Sequence, residues 1–328
     1  MTVGEFGERA LIARLRARIA PPPPHVEIGI GDDAAALAPA RSQLEIITTD
    51  ALVEGVHFRR DWTTAEAIGH KALAVNLSDL AAMGARPRAA LLGLVLPDTF
   101  SLADFDALLD GFLALAEKTS TPLIGGNISR SPGPLMIDVT AIGAAPRRKV
   151  LRRTGGRPGD ELYVTGVLGG AAAGLEMRRR HGASAPAHSC LGRYERPLPQ
   201  LRVGRQVAKS RTASAAIDLS DGLAAAARQL AEASGTGVEI DLAALPVMDG
   251  VASMAGPDPD AAPLLALSGG EDYELLFAVS RRRRRGFLAG VKRAGATATA
   301  VGRLVKEPGE YLVSPTGRGP LPAGFGHF

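Results

Sequence analysis

The chain has 328 residues, enough for two domains with buried cores. Apolar residues make up 46% and charged residues 22%, and no apolar run reaches the roughly 18–20 residues that a membrane span needs. No basic and then apolar signal opens the chain, so we expect a cytoplasmic protein that is not secreted. The single cysteine, Cys190, excludes a disulfide framework and CxxC zinc or redox sites.

The formal net charge of +4 is compatible with nucleic acid or acidic substrates as partners. Five of the cations, however, form one run of arginines at residues 281–285, and without that run 33 basic residues stand against 34 acidic ones. The basic character is therefore local, and we expect the run on a solvated helix face. An RNA-binding protein built on this run remains an alternative.

The predicted elements alternate between helices and strands along the chain. Leu11, Ile12, Leu15 and Ile19 recur at helical spacing and predict a first helix that prolines 21–24 end. Then come strands at 26–30 and 44–48, a helix at 65–83, a strand at 89–96, a helix at 102–118 and a strand at 135–142. A loop rich in Gly and Pro at 152–160 is a plausible domain boundary.

The alternation begins again after this loop. It predicts a strand at 161–165, a helix at 170–180, a polar surface connection at 184–199, a helix at 201–209, a strand at 215–219, a helix at 222–234, and strands at 238–242 and 274–279. We expect Cys190, within the surface connection, to have no role. The pattern predicts a mixed α/β enzyme of two domains.

Aspartates recur beside hydroxyls and glycines in four places, at residues 31–33, 48–50, 76–79 and 218–222. Three of these follow a predicted strand directly, where α/β proteins bind ligands, and oxygen-only clusters suit Mg²⁺. Each motif has an alternative as a helix N-cap or a turn, for instance Ser220 or Asp221 ahead of the helix at 222–234. Asp79 differs, because it lies among apolar residues of a helix and needs a partner.

Many carboxylates without an apparent catalytic base favour phosphoryl transfer between two anions. In that chemistry, positioning and metal neutralisation of the phosphates do most of the catalysis. The sequence has no GxxxxGK[ST] motif, and it lacks the Gly-rich loop, HRD and DFG motifs of protein kinases. Any nucleotide is therefore bound by a different scaffold.

Six blocks of the sequence resemble the thiamine-monophosphate kinase family in family order. They are residues 4–6, 29–34, 48–58, 71–85, 217–223 and 267–275, followed by residues 326–328 at the end. The resemblance implies a two-domain aminoimidazole-ribonucleotide synthetase-like fold. Residues 1–148 would form an N-terminal ATP- and Mg-binding and dimerisation domain, and residues 149–328 a C-terminal α/β domain.

The resemblance also implies the reaction, in which ATP and thiamine monophosphate give thiamine diphosphate and ADP by direct in-line transfer with several Mg²⁺ ions. By position in the family motifs, the metal ligands are Asp33, Thr48, Thr49, Asp50, Asp79, Asn127, Asp218 and Asp221. The residues that contact the nucleotide are Gly126, Arg153 and Ser220. Those that contact thiamine monophosphate are His57, Glu271 and Phe325.

The residue types suit these roles, and each also has a structural alternative. Arg153, in a Gly-rich loop, can fork onto a phosphate, or it is one more solvated arginine. Glu271 can pair with a cationic thiazolium, or it is a turn residue after two glycines. His57 is alternatively a buried or capping histidine, and Phe325 either stacks on an aromatic ring or anchors the C-terminus.

One position departs from the family pattern. The family has Gly-Gly-Asp-Thr-Ser where residues 125–129 of this chain read Gly-Gly-Asn-Ile-Ser. Asn127 keeps a carbonyl oxygen but removes a negative charge, so we predict weaker Mg²⁺ binding at this position, or occupancy only with ATP present.

Two further alternatives remain at the level of sequence. One is a different ATP-dependent enzyme on the same scaffold, although selenophosphate synthetase would need a reactive cysteine near the N-terminus and none precedes Cys190. The other is a nucleotide-binding or regulatory protein that has lost turnover through Asn127.

Overall fold

The computed structural model describes residues 1–30 and 34–324, and the chain divides into two compact units. Unit 1 comprises Met1–Leu80 and Arg86–Arg147, and unit 2 comprises Ala81–Ala85 and Arg148–Phe328. Each unit combines helices with a β-sheet, so the predicted mixed α/β class is confirmed. No helix within the described residues is both long enough and apolar enough to span a bilayer.

The first part of the chain forms a four-stranded sheet in the order β3-β6-β4-β5, and a short antiparallel pair, β1-β2. Its elements are α1 Val3–Phe6, α2 Glu8–Arg16, β1 Val26–Ile28, β2 Ala36–Leu37, β3 Gln43–Val53, α3 Ala65–Ala82, β4 Arg86–Pro97, α4 Leu102–Thr119, β5 Leu123–Ser131 and β6 Met136–Pro146. Strand β6 pairs antiparallel with both β3 and β4, whereas β4 and β5 run parallel.

One face of the four-stranded sheet is buried and the other is open. Side chains alternate between the two faces of a strand. Leu52, Leu94 and Ile137 are at most 3% exposed, whereas Ile47 and Met136 are 65% and 38% exposed. The sheet therefore has a packed face and an open face.

Helices α3 and α4 are in backbone contact. A Cβ atom added to Gly69 would lie 1.9 Å from the backbone oxygen of Leu108, and one added to Gly111 would lie 1.8 Å from that of Glu66. Only glycine permits so close an approach. The two glycines therefore fix where α3, which carries Asp79, crosses α4.

The second part of the chain forms a seven-stranded sheet in the order β13-β12-β9-β11-β7-β10-β8. Its strands are β7 Glu161–Thr165, β8 Ala215–Asp218, β9 Gly237–Asp241, β10 Leu275–Val279, β11 Ala298–Val305, β12 Glu310–Ser314 and β13 Gly317–Pro320. Its helices are α5 Gly170–His181, α6 Ser189–Glu195, α7 Leu201–Ser210, α8 Leu223–Ser234, α9 Val251–Ala255, α10 Ala261–Ser268 and α11 Arg284–Arg293. All pairs are antiparallel except β12-β9.

Helices cover both faces of this second sheet. Every residue of β8 and β10 is buried, as expected for strands between two layers. Leu223 and Leu230 of α8 belong to one core, and Val207 of α7 and Phe287 of α11 belong to the other. The structure thus holds the carboxyl end of β8 between two packed layers.

Three sequence predictions are wrong in detail. The predicted first helix includes Ile19, but α2 ends at Arg16. The polar connection contains helix α6, and Cys190 is 0% exposed. Cys190, Leu191 and Tyr194 point inward together at helical spacing, which the Pro- and Ser-rich surroundings concealed.

The arginine run is only partly on a helix. Arg281–Arg283 form a 3₁₀ turn, and α11 begins at Arg284. The side chains of Arg281 and Arg284 are 88% and 54% exposed and lie 4.0 and 3.7 Å from the carboxylate of Glu161. Arg282 and Arg285 are exposed as well, and Arg283 is half-buried. The predicted solvated position therefore holds for most of the run, whereas the predicted helix begins only at Arg284.

Candidate active site

On the packed face of the sheet of unit 1, Thr48 meets Asp79. The hydroxyl of Thr48, on β3, donates a hydrogen bond to the carboxylate of Asp79, on α3. Asp50 shares this face of β3, because it lies two residues along the strand. The prediction that Asp79 needs a partner is confirmed, and two of the predicted metal ligands are brought together.

Thr49 takes part in a different group, on the open face of the same sheet. Its hydroxyl lies 3.1 Å from a carboxylate oxygen of Asp138, on β6. The sequence placed Thr49 and Asp50 directly after a strand, but β3 runs on to Val53, so both lie within it. Alternation along β3 therefore separates Thr48 from Thr49.

A row across the sheet joins Asp138 to Asn127. Asp138 pairs with Gly93 of β4, and Gly93 pairs with Asn127 of β5. Because Gly93 has no side chain, a gap about two strand spacings wide, or ~10 Å, separates the two polar residues. The amide of Asn127 donates a 2.9 Å hydrogen bond to the Ser129 hydroxyl. Sequence reasoning missed Asp138, although an acid among the alternating apolar residues of β6 was a usable signal.

Gly126 has a structural reason of its own to be glycine. Its φ is +152°, and an added Cβ atom would lie 1.9 Å from the backbone oxygen of Leu92 on the neighbouring strand β4. A side chain here would separate β5 from β4. Gly126 therefore allows β5 to pair closely with β4 next to Asn127.

His57 lies in the turn that follows β3. Its Nδ1 atom accepts a 3.1 Å hydrogen bond from the backbone N–H of Val53. In a neutral ring, that bond places the proton on Nε2. His57 therefore caps a backbone N–H group, as the structural alternative predicts. Its contact with the substrate stays a prediction.

The candidate metal ligands of unit 1 are of the chemical type that a hard cation prefers. Within residues 1–30 and 34–324, no three His, Cys, Asp or Glu side chains form a ready-made metal cage. Thr48 and Asp79 on the packed face, and Asn127 and Asp138 on the open face, nevertheless form two groups that each offer oxygen donors, as Mg²⁺ prefers. Asn76, one turn before Asp79, also has a buried Oδ1 atom without a hydrogen-bond partner in the described part of the chain. A hydrated cation can satisfy such an acceptor.

In unit 2, the carboxyl end of β8 carries the motif at residues 218–222. Asp218 is the last residue of β8 and is 5% exposed. The N-cap of α8 is Gly222, which makes no side-chain cap hydrogen bond, so the alternative in which Ser220 or Asp221 caps this helix is wrong. The backbone oxygen of Ser220 instead accepts a 2.6 Å hydrogen bond from the N–H of Glu271. A predicted nucleotide contact and a predicted substrate contact are therefore neighbours.

Glu271 lies in a strained segment that the hydrogen bonds of Asp272 hold in place. The φ angles of Glu271 and Tyr273 are +68° and +48°, a left-handed conformation that side chains rarely adopt. Between them, the carboxylate of Asp272 accepts hydrogen bonds from the backbone N–H groups of Gly169 at 2.6 Å and Ala171 at 3.1 Å, at the start of α5. Asp272 is 4% exposed, and burial raises the pKa of its carboxyl to about 6. Such strain clusters at functional sites.

A buried polar group beside this segment was also missed by the sequence analysis. Glu274, 1% exposed, accepts a 2.6 Å hydrogen bond from the Thr165 hydroxyl and forms an ion pair with Arg193. Burial raises the pKa of the Glu274 carboxyl, and the guanidinium of Arg193 opposes that shift. The group lies at the end of β7 and the start of β10, the same sheet edge as Asp218, because β10 is antiparallel to both neighbours.

Arg153 is exposed and is held by α8. Its guanidinium donates a 3.0 Å hydrogen bond to the side-chain oxygen of Gln229, and its backbone oxygen accepts one from the Ser234 hydroxyl. The predicted residues Asp33 and Phe325 lie outside the described residues.

Comparison with known proteins gives the class of this fold. Residues 31–145 match the model of the AIR synthase related protein, N-terminal domain, and residues 157–314 match that of the AIR synthase related protein, C-terminal domain. The fold and both matches define a two-domain protein of the AIR synthase related class.

Its similarity to individual proteins is closer. The chain is 42% identical over 307 residues to the thiamine-monophosphate kinase of Salmonella typhimurium, covering 93% of this chain and 91% of that protein. The crystal structure of the thiamine-monophosphate kinase from Stenotrophomonas maltophilia K279a matches it with a TM-score of 0.81 at 38% identity, over 92% of this chain and 95% of that one. The structure of AaThiL complexed with AMPPCP and TMP matches it with a TM-score of 0.77 at 32% identity, over 100% and 99% of the two chains. The chain belongs to the thiamine-monophosphate kinase family, as the sequence blocks predicted.

Proposed function

We propose that this protein transfers the γ-phosphoryl group of ATP to the phosphate of thiamine monophosphate, which yields thiamine diphosphate and ADP in thiamine diphosphate biosynthesis. The observation that carries the proposal is the similarity to AaThiL over the full length of this chain, because that relative was solved with AMPPCP, an ATP analogue, and TMP together. The acceptor is itself an anion, so the site must gather positive charge around two phosphates.

Several Mg²⁺ ions are part of this proposal. Their proposed ligands are Asp33, Thr48, Thr49, Asp50, Asp79, Asn127, Asp218 and Asp221, to which we add Asp138 for its hydrogen bond with Thr49. When bound, Mg²⁺ neutralises the phosphate oxygens during transfer. The hydrogen bond from Thr48 to Asp79 and that from Thr49 to Asp138 keep these carboxylates oriented before a cation arrives.

The remaining site residues bind and orient the two substrates. Arg153, positioned by Gln229, forks onto a phosphate of ATP, with Ser220 and the backbone at Gly126 as further nucleotide contacts. His57 and Phe325 contact thiamine monophosphate. Glu271 places a carboxylate for the cationic thiazolium or the aminopyrimidine, and its strained backbone fixes that placement. Direct transfer needs no catalytic base and no covalent intermediate on the protein.

The domain roles also belong to the proposal. Residues 1–148 form the ATP- and Mg-binding and dimerisation domain, and residues 149–328 form the C-terminal α/β domain. The open sheet face with Ile47 and Met136 exposed favours a homodimer through this part of the chain. The proposed partners are small molecules and a second copy of the chain, with neither nucleic acid nor membrane, in the cytoplasm.

The test is steady-state ADP release with ATP, Mg²⁺ and thiamine monophosphate, with thiamine as the control acceptor. We expect turnover with the monophosphate alone, and Glu271→Gln should raise the KM for that substrate at least tenfold while the KM for ATP changes little. ATP binding without ADP release would instead support the nucleotide-binding protein without turnover. Turnover with thiamine as acceptor would contradict the proposal.

A further inference from the structure

Part of the arginine run lines a cavity that the proposed reaction does not use. This cavity in unit 2 has a volume of about 280 Å³. Six cationic residues from four segments of the chain line it: Arg148, Lys149, Arg157, Arg211, Arg282 and Arg283. We call it the basic cavity.

The charge in the basic cavity is not balanced by the protein. None of the six cationic side chains forms an ion pair within the described residues. The one acidic residue in the lining, Asp160, is 5% exposed, and its carboxylate already accepts hydrogen bonds from the Ser214 hydroxyl and the backbone N–H of Arg157. Like charges held together repel, and an anion relieves that repulsion.

Two further features distinguish the basic cavity from a solvated surface. Ser280 lines it, and its hydroxyl oxygen is buried without a hydrogen-bond partner among residues 1–30 and 34–324. Arg211, the residue directly after α7, has a φ of +53°, where glycine is the usual residue. The lining thus contains the unsatisfied hydroxyl of Ser280 and the strained backbone of Arg211.

The basic cavity lies at the opposite end of β8 from Asp218. Ser214, in its lining, directly precedes β8, whereas Asp218 is the last residue of that strand. At about 3.3 Å per residue, the two ends are ~13 Å apart. A ligand in the cavity therefore does not take the place of a substrate at Asp218.

We propose that the basic cavity binds a small anion with two or more linked phosphate groups. Arginine forks match phosphate oxygens, and six cations exceed what a single phosphate neutralises. The volume lies near the lower end of small-molecule sites, which are roughly 300–1,000 Å³, and so fits a diphosphate or triphosphate. The Ser280 hydroxyl donates to one phosphate oxygen.

The test uses isothermal titration calorimetry with inorganic tripolyphosphate on the full chain. The key variant is Arg282→Gln with Arg283→Gln. Its matched control is Arg284→Gln with Arg285→Gln, which removes the same charge from the same run but leaves the cavity lining intact. We expect the first pair to weaken binding at least tenfold and the second to change it less than twofold. Equal weakening by both pairs, or no binding by the wild type at millimolar tripolyphosphate, would overturn the proposal.

Two further measurements identify the source of the phosphates and check that the variants are folded. Similar cavity affinities for tripolyphosphate and ADP support recognition of the phosphates alone, and a preference for ADP supports a nucleotide. Ser280→Ala should weaken binding three- to tenfold at an unchanged Tm. A single-stranded RNA oligonucleotide is titrated in the same way. If both pairs of arginine substitutions weaken its binding equally, the run binds RNA and the proposal is overturned. The kinetic constants for ATP and thiamine monophosphate should stay unchanged in every variant, so this test and that of the proposed function fail separately.

Discussion

The carboxylate of Asp272 accepts a 2.6 Å hydrogen bond from the backbone N–H of Gly169, the residue before helix α5. A second N–H, from Ala171, donates to its other oxygen at 3.1 Å. Helix N-termini favour negative charge, so α5 and Asp272 hold the strained segment that carries Glu271. The substrate contact proposed for Glu271 thus depends on a buried acid that itself touches no substrate.

Asp272 should make stability depend on pH in an unusual direction. Burial raises the pKa of its carboxyl from 3.8 to about 6 in the folded protein, so the unfolded chain loses this proton first as pH rises. The free energy of unfolding should therefore fall by ~3 kcal/mol between about pH 4 and pH 6 relative to Asp272→Asn. Urea unfolding across this range measures it, and parallel profiles for the two proteins would refute it.

A matched control is Asp61→Asn. Asp61 is exposed, and its hydrogen bond with Arg59 lowers the pKa of the carboxyl. Relative to this variant, the wild type should lose stability as pH falls, which is the opposite sign from Asp272.

Gly126→Ala should destabilise the protein by about 3 kcal/mol or more, because the new Cβ atom would lie 1.9 Å from the backbone oxygen of Leu92. Thermal unfolding should show a Tm lower by roughly 10 °C. Gly133→Ala is the control, since a Cβ there meets no atom within 4 Å. Equal Tm values for the two variants would show that the close contact between β4 and β5 is not needed.

Thr48→Val should lower kcat at least tenfold at an almost unchanged Tm. It keeps the branched shape of the side chain and removes the hydroxyl that orients Asp79. Thr48→Ser, which keeps the hydroxyl, should restore most of the rate. If the serine variant is as slow as the valine variant, orientation of Asp79 by this hydroxyl is not what matters.

Asn127→Asp should shift the Mg²⁺ dependence of activity to lower concentrations, because it adds a negative charge at the proposed metal-binding position. The fold should tolerate the change, since the Ser129 hydroxyl that now accepts from the amide can donate to a carboxylate. Mg²⁺ titrations of turnover in both proteins check this. Superimposable curves would reject the weak-site hypothesis.

The sequence alone predicted the elements whose signal is local. The apolar pattern around Asp79 predicted helix α3, and the carboxylate on its apolar face indicated a partner, which the structure identifies as Thr48. Strand β5, which carries Gly126 and Asn127, was missed, because its Gly-Gly-Asn run lacks the residues that favour strands.

What the sequence could not give depends on pairing between distant residues. The sequence pattern places Thr48 and Thr49 in one motif, but the register of β3 with β6 turns Thr49 towards Asp138. Asp272 was inside a recognised block, yet its role depends on the start of α5, about a hundred residues earlier. Such contacts follow from tertiary packing, which no local pattern encodes.

In the proposed reaction, the γ-phosphoryl group passes directly from ATP to thiamine monophosphate. The most direct measurement is a single-turnover reaction with γ-labelled ATP, Mg²⁺ and thiamine monophosphate, followed by mass spectrometry of all products. Label in the terminal phosphate of thiamine diphosphate, with an equal amount of ADP, is the predicted result. Label found only in inorganic phosphate, or ATP that stays bound and intact, would contradict it.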